Sequence, residues 1–311
     1  MKTKALIPFL FVFAVLSGCI GKKATDETPT RGSIKISVDE SYKPIIDAEI
    51  STFGSIYEDA FVHAAYKPEA DCFDDYFKDS VRLIITNRKL TPEQEANLKN
   101  GKIIPRTTKF AYDAIAFIMN KDNPDSVLTY AQLEAIFRGK INNWSQINKK
   151  NETGEINVVF DNMRSGNPRY IKEKFKLPGG FPAYCFAVKS NPEVISYVEK
   201  NKNAIGVLSV NWISDTHDST SNSFLNRIKV AGVSADTDPD GLGEIKKPYQ
   251  GYIAENSYPF TREVYIISRE TFKGLGTGFA SFVCSDPGQR IVLKSGLVPA
   301  TMPVRLINSK R

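Results

Sequence analysis

The 311-residue chain is poor in the side chains on which most enzymes and metalloproteins rely. It has two histidines, His63 and His217, and four cysteines. That supply excludes a multi-histidine metal site and an all-cysteine zinc site for want of ligands, and no cofactor is implied. Nothing in the spacing places a cysteine near either histidine, so a Cys/His nucleophile is not expected. Charge of one sign is scarce too. Forty-one basic against 35 acidic residues give +6, dispersed rather than gathered into the basic face of a nucleic-acid binder. There is no internal repeat and no low-complexity tract. What remains is 41% hydrophobic, 11% aromatic and 24% charged, an ordinary globular balance with length for two lobes of roughly 100–150 residues each.

The one long apolar run lies at the start. Met1-Lys2-Thr3-Lys4 is a short basic region, and Ala5 to Leu16 are non-polar throughout. The run falls short of the roughly 20 residues needed to span a bilayer and has signal-peptide proportions. It ends in Leu16-Ser17-Gly18-Cys19, which resembles a bacterial lipobox. Residues 1–18 therefore read as a lipoprotein signal peptide and Cys19 as the lipidated residue, which places the protein outside the cytoplasm and anchors it to a membrane. Loss of Lys2 and Lys4 with the leader would lower the charge from +6 to +4. Residues 19–32 are polar, without hydrophobic period, and read as a tether. Of the other cysteines, Cys72, Cys185 and Cys284, three separate buried thiols is the preferred reading over one disulfide and one free thiol.

Strand and helix signals alternate along the rest. Ser33–Val38 alternates as a strand; Pro44 suits an early helical position before Ile45, Ile46, Ile50, Phe53 and Ile56. Val81–Thr86 reads as a strand. Thr91 to Gln94 and Thr129 to Gln132 read as capping boxes, with Gly101 and Gly139 as stops. Ala114–Met119 and Ile156–Phe160 are further apolar strands, Pro168–Phe175 and Asn191 to about Lys202 helices. Ile205–Val210, Ile228–Val233 and Glu263–Ser268 follow as strands, and Tyr252–Ala254 as a weaker one. Helices over Phe279–Val283 and from Asp286 to Gly296 close the chain. Ser214 to Asn226 reads as a polar loop and Ser234 to Lys247 as a surface excursion. The pattern predicts an α/β protein with parallel sheets covered on both faces.

Short polar clusters follow several strands, at the carboxyl ends where open α/β sheets bind ligands. Asp39-Glu40-Ser41-Tyr42 follows the first and Thr86-Asn87-Arg88 the second. Asn162-Met163-Arg164-Ser165-Gly166-Asn167 runs straight into Pro168. That turn aims free backbone N–H groups and a helix dipole at one point, which suits an oxyanion. Ser165 adds a hydroxyl, Arg164 and Arg88 forked cationic donors, and Asp113 an acceptor for a protonated ligand. Taken singly, each has a plainer reading as a helix cap, a surface arginine or a loop carboxylate.

The middle of the chain resembles a known family. Asp113-Ala-Ile-Ala-Phe-Ile-Met-Asn120, then Asn123-Pro124 and Leu128-Thr-Tyr-Ala-Gln-Leu-Glu-Ala-Ile-Phe-Arg-Gly-Lys-Ile-Asn-Asn-Trp144, is similar to the PstS-like solute-binding proteins of phosphate ABC transporters. Ala204-Ile-Gly-Val, Tyr258-Pro-Phe-Thr-Arg262, Val264-Tyr-Ile-Ile and Gly296-Leu-Val-Pro299 match further elements in order, so the resemblance spans roughly residues 33 to 305. It implies a two-lobed type II periplasmic-binding fold, each lobe a sheet covered by helices, with the ligand cleft between them. Lobe one would be 33–113 and 264–311, lobe two 114–263. Neither crossing carries a glycine-rich hinge. The ligand would be phosphate or a related small oxyanion, held without chemistry by Ser41, Tyr42, Thr86, Asn87, Arg88, Asp113, Arg164, Ser165, Gly166 and Asn167. An ABC permease would be the partner of a monomer, with no role for nucleic acid or a metal.

The departures from the family pattern fall in these loops. Its neutral first loop is here Asp39-Glu40-Ser41-Tyr42, and two carboxylates beside phosphate would repel it unless they point away. Where the family's second strand starts on an acceptor aspartate, this chain has Arg82, which puts discrimination against sulfate in doubt. In the third loop Asp161 stands for an arginine and Asn167 for a threonine, with Arg164 as a shifted source of charge. A second expectation therefore stands beside the first: the same fold with a degenerate pocket, serving as a sensor or docking lipoprotein. A hydrolase would need a nucleophile with a base, or a metal cluster, and the sequence offers neither.

Overall fold

Alternation of apolar and polar residues starts the fold at β1 (Gly32–Asp39) and brings it beside a strand of later sequence, β2 (Ala60–Lys67), in parallel register. The structure, a computed structural model, describes residues 27–215, 217–234 and 243–303. The signal peptide, Cys19 and most of the tether lie outside them, as does residue stretch 235–242 of the surface excursion. Between the first two strands runs α1 (Lys43–Ile56), with Pro44 in its first turn as its fixed φ favours. Then come α2 (Glu69–Phe77), β3 (Leu83–Thr86), α3 (Pro92–Asn100) and the 15-residue β4 (Arg106–Asn120).

Along the chain there follow β5 (Val127–Thr129), α4 (Tyr130–Phe137), β6 (Asn157–Phe160), α5 (Gly166–Lys174), β7 (Cys185–Ala187) and α6 (Asn191–Lys200). After these come β8 (Ala204–Ser209), α7 (Ser219–Leu225), β9 (Ile228–Val230), β10 (Gly232–Ser234), β11 (Ile245–Lys246) and α8 (Gln250–Ala254). The chain returns through β12 (Thr261–Ser268) and ends with α9 (Leu275–Val283), α10 (Asp286–Lys294) and β13 (Val298–Pro299).

One sheet runs through both lobes in the order β2-β1-β3-β12-β4-β8-β6-β7, with β13 and β9 also on β4. The first half of β4, to Ala114, pairs with β12; from Ile115 it pairs with β8. Period-two alternation assigns the faces of β3. Leu83 and Ile85 enter the main core, while Ile84 joins a smaller core with Phe73 and Tyr76 of α2 and Leu98 of α3. Both faces are thus covered, and both capping boxes form at Thr91 and Thr129. Gly139 and Gly296 take φ of +78° and +79° where helices stop.

Several expectations need correction. The sheet is mixed, because β12 runs antiparallel to β3 and β4, and β4 antiparallel to β8. Tyr252–Ala254 belongs to a helix, and the polar stretch after Ser214 contains α7, started by Asp218 accepting from Ser221 N. β2 and α2 give no clear period in the sequence, since β2 is an edge strand with exposed Phe61 and His63. Cys72, Cys185 and Cys284 are free thiols, the first two buried and Cys284 half-buried. No helix among the described residues is long and apolar enough to cross a membrane.

Glu49 of α1 is fully buried, and neither carboxyl oxygen finds a hydrogen-bond partner. Burial pushes its pKa from 4.5 up to about 9. Folded Glu49 keeps its proton where the unfolded chain has released it. Its contribution is therefore most favourable below pH 4.5 and is lost progressively as pH rises towards 9, a cost of roughly 3 kcal/mol at pH 7. Glu49→Gln should gain about that much over the wild type in urea unfolding at pH 7, and under about 1 kcal/mol at pH 5. An equal gain at both pH values would show that Glu49 does not titrate this way.

Candidate functional site

The ends of β1, β3 and β6 and the crossing of β4 with β12 converge between the lobes. At the floor, Asp113 of β4 is fully buried and Arg262 of β12 nearly so. Arg262 Nε donates to Asp113 Oδ2 at 2.8 Å, and Ser209 of β8 donates to Oδ1 at 2.9 Å. The guanidinium lies between Tyr42 of lobe one and Tyr170 of lobe two, 5.6 and 5.8 Å from their ring centres. Burial works against its charge, but Tyr42, Asp113 and Asp39 outweigh that and hold Arg262 protonated, above the usual arginine range. Its Nη1 has no partner.

Above this floor the β6–α5 loop closes on the β1 loop. Ser165 sits at the N-cap of α5 but caps no amide; its hydroxyl donates to Asp161 Oδ1 at 2.8 Å, and Asn167 Nδ2 donates to the same oxygen at 2.9 Å. The amide of Gly166 donates across the cleft to Asp39 Oδ2 at 3.0 Å, and the amide of Ser41 donates to Oδ1 at 3.0 Å. A Cβ on Gly166 would lie 2.0 Å from Asn87 Nδ2 and 2.6 Å from Asp39 Oδ2, so only glycine lets the loops approach this closely. Ser41 Oγ reaches Asn167 Oδ1 at 3.5 Å, and Asn211 Nδ2 donates to Ser41 O at 3.2 Å.

A third cluster is built on Arg169, in the first turns of α5. It donates to Glu69 Oε1 at 2.5 Å and Oε2 at 3.1 Å, and to Asn87 Oδ1. Glu69, from the start of α2, also accepts from Asn87 N at 3.3 Å. Asn87 Nδ2 makes no hydrogen bond of normal geometry.

Two guanidinium–carboxylate pairs thus neutralise each other, Arg262 with Asp113 and Arg169 with Glu69. Asp39 and Asp161, 0% and 1% exposed, have no cation within ion-pair distance among the described residues. They are also the two carboxyls most perturbed here. Burial raises Asp39 to about 7, with Glu69 and Asp161 adding repulsion, and burial raises Asp161 to about 6.

Of the residues expected here, Ser41, Tyr42, Asn87, Asp113, Ser165, Gly166 and Asn167 do meet in the cleft. Thr86 is buried but only donates to Arg88 O. Arg88 turns away from the centre: its guanidinium stacks 3.4 Å above the Phe73 ring and bonds Lys89 O and Gln94, with Glu69 at 3.7 Å. Arg164 supplies no charge to the interior; it is exposed and pairs with Asp71 and Asp74 of α2. Arg82 stands at the opposite end of β3, on Glu27 and Glu270, remote from the cleft. Glu40 accepts from Asn191 on α6, but Asp39 points inward. Glu69, Arg169 and Arg262 were not assigned to the site from sequence, and Asp161 was marked there only as a departure in the third loop. Arg262, which ends the family-like Tyr258-Pro-Phe-Thr-Arg262 element, carried the clearest signal.

Known proteins resemble this arrangement. The family described as "PBP superfamily domain" matches residues 23–287. The phosphate-binding protein PstS of Staphylococcus saprophyticus is 25% identical over 280 residues, covering 88% of this chain and 83% of the relative. That of Staphylococcus epidermidis is 24% identical over 282 residues, covering 88% and 82%. Among solved structures, a substrate-binding protein with bound phosphate from Clostridium perfringens aligns with a TM-score of 0.71 at 23% identity, over 86% of this chain and all of that one. An ABC-type phosphate transport receptor from Vibrio cholerae aligns at 0.64 and 20%, over 86% and 100%. The fold is thus the two-lobed type II periplasmic-binding fold.

Removing Arg169 would take from buried Glu69 its hydrogen-bonded guanidinium and leave it Arg88 Nε at 3.7 Å and the amide of Asn87. Arg169→Ala should cost up to about 3 kcal/mol in urea unfolding, less than for a wholly uncompensated buried charge because Arg88 still faces Glu69, and Glu69→Gln in the same chain should recover part of it. A cost below about 1 kcal/mol would mean the pair is not buried as described.

Proposed function

Because the chain belongs to the PBP superfamily, we propose that it is an extracytoplasmic binding protein, anchored through lipidated Cys19, that takes phosphate or a related small oxyanion and passes it to an ABC permease. The observation that carries this reading is the convergence of two backbone amides, Ser41 from lobe one and Gly166 from lobe two, on a single carboxylate. Backbone donors aimed from both sides at one anionic group, with one of them at a helix N-terminus, form the cradle that an oxyanion needs. Asn87 Nδ2, beside the Tyr42 hydroxyl, and Arg262 Nη1 are further buried donors that make no hydrogen bond of normal geometry. The residues we assign to the ligand are Ser41, Asn87, Gly166, Asn167 and Arg262, with Tyr42, Asp113 and Ser165 behind them. Lobe one would be 33–113 and 264–311 and lobe two 114–263, in keeping with the change of partner along β4. The relatives' names describe binding and transport, not catalysis, and the cleft needs no chemistry to do the same.

A second reading has its own support. Asp39 fills the cradle and Asp161 stands beside it, which is the composition of a pocket that has given up its anion and serves as a sensor or docking lipoprotein. Calorimetric titration of the purified protein with inorganic phosphate, sulfate, molybdate and a phosphoester separates the two. The oxyanion reading expects heat and a saturable isotherm with at least one of these; no heat with any of them leaves the sensor reading. Gly166→Ala should weaken binding more than tenfold, because its Cβ would collide with Asn87 and Asp39. Arg164→Ala should leave affinity unchanged, since its guanidinium is engaged on the surface.

A further inference from the structure

Helix α5 takes its cap from the wrong place. Ser165 holds the N-cap position, yet its hydroxyl is spent on Asp161, and the first free amide of the helix is bonded to a residue 127 positions away in the other lobe. That residue, Asp39, is fully buried, and each of its oxygens takes one amide, Ser41 N and Gly166 N, both at 3.0 Å. A carboxylate with one oxygen on each lobe is placed as two oxygens of a bound tetrahedral anion would be. A second observation marks the same spot as a ligand position. Asn87 is 7% exposed, its Nδ2 makes no hydrogen bond of normal geometry, and it lies 2.0 Å from where a Cβ on Gly166 would stand. A buried amide donor thus stands with the Tyr42 hydroxyl near it but without a well-formed hydrogen bond, beside a carboxylate whose two oxygens are already engaged by other donors.

We propose that Asp39 is a resident ligand of its own anion cradle, so that an incoming oxyanion binds by taking the Ser41 and Gly166 amides from it. The proposal rests, for the nature of the incoming ligand, on the oxyanion reading given above; the occupancy of the cradle by Asp39 does not. It assigns Asp39 a role in setting affinity that neither amide could have alone. The carboxylate satisfies two donors that would otherwise be buried and unpaired between the lobes. It also makes any external anion compete with a group held at high effective concentration by the chain itself. Glu69 and Asp161 face this spot and repel the resident and the incoming anion alike, so the advantage of the incoming anion is Asn87 Nδ2, a donor that Asp39 does not use. A ligand with three or more acceptor oxygens therefore exceeds what the two-oxygen resident offers, and a monocarboxylate does not.

The test reads the Gly166 amide directly. Hydrogen exchange at this amide is measured by NMR in the wild type, Asp39→Ala and Asp39→Asn, without ligand and with inorganic phosphate. Protection of Gly166 in the ligand-free wild type, exchange at least tenfold faster in Asp39→Ala, and protection restored by phosphate would support both the resident ligand and the oxyanion reading. Calorimetry on the same variant should then show phosphate binding at least tenfold tighter than in the wild type. Faster exchange that phosphate, sulfate, molybdate and a phosphoester all fail to restore would keep Asp39 as the occupant and sink the oxyanion reading. Gly166 exchange that is unchanged in Asp39→Ala would overturn the proposal. Asp39→Asn keeps one carbonyl acceptor and the side-chain size. If the alanine variant does not fold, at least tenfold faster exchange at either Ser41 or Gly166 in the asparagine variant supports the proposal, and unchanged protection at both refutes it.

Discussion

The cleft depends on one buried ion pair. Asp113 and Arg262 lie on the two strands that cross between the lobes, and Ser209 of the second lobe closes the triad on Asp113. A charge pair taken out of water holds only if its geometry is good and its remaining valences are filled. Here the geometry comes from residues of three strands at once, β4, β12 and β8, and Arg262 Nη1 is the valence left open. The same guanidinium then supports Tyr42 and Tyr170 from the two sides of the cleft. Without the pair, the floor would have to be apolar, and no fixed positive charge would stand behind the amides of Ser41 and Gly166.

Around that floor the electrostatics are arranged by subtraction. Arg262 cancels Asp113 and Arg169, with Arg88 behind it, cancels Glu69, while Arg164 is engaged on the surface. What is left is an acidic remainder, Asp39 and Asp161, whose pKa values rise because burial strips them of solvation, with Glu69 and Asp161 repelling Asp39 and Glu40 repelling Asp161. The departures noticed in the binding loops are thus not scattered. Asp39 and Asp161 are neighbours in space, coupled through Ser165, Gly166 and Asn167.

Much of this was legible in the residues. The capping boxes at Thr91 and Thr129, the Pro44 helix start and the strand ending at Asp39 follow local rules that neighbouring residues satisfy by themselves. The meeting of Ser41 and Asn87 was foreseeable because loops after parallel strands, here β1 and β3, gather at one edge of a sheet; Gly166 follows β6, which runs the other way, and reaches them across the cleft. The arginines were misjudged for a physical reason. A long side chain can point in any of several directions from one backbone position, so Arg88 and Arg164 were read as facing inward when Phe73, Asp71 and Asp74 drew them out. Arg169, Glu69 and Arg262 escaped notice because their importance comes from partners about 100 residues or more away in sequence. β2 escaped because an edge strand buries too little to show a period.

The shared strand β4 has a consequence for how the molecule is put together. Its first half is sheet for one lobe and its second half sheet for the other, with no linker between Ala114 and Ile115. Just there, Ile115 N donates to Phe260 O and Tyr258 Oη donates to Ile115 O, strapping the outgoing chain to the returning one. The lobes are therefore not two modules joined by a cord but two ends of one plank. Any relative motion has to be taken up as torsion distributed along paired backbone, which behaves as a spring with a rest position rather than a free joint. Such a body stores part of the energy of closing in its own frame and gives it back on opening. A cut at the crossing would unmake both halves together.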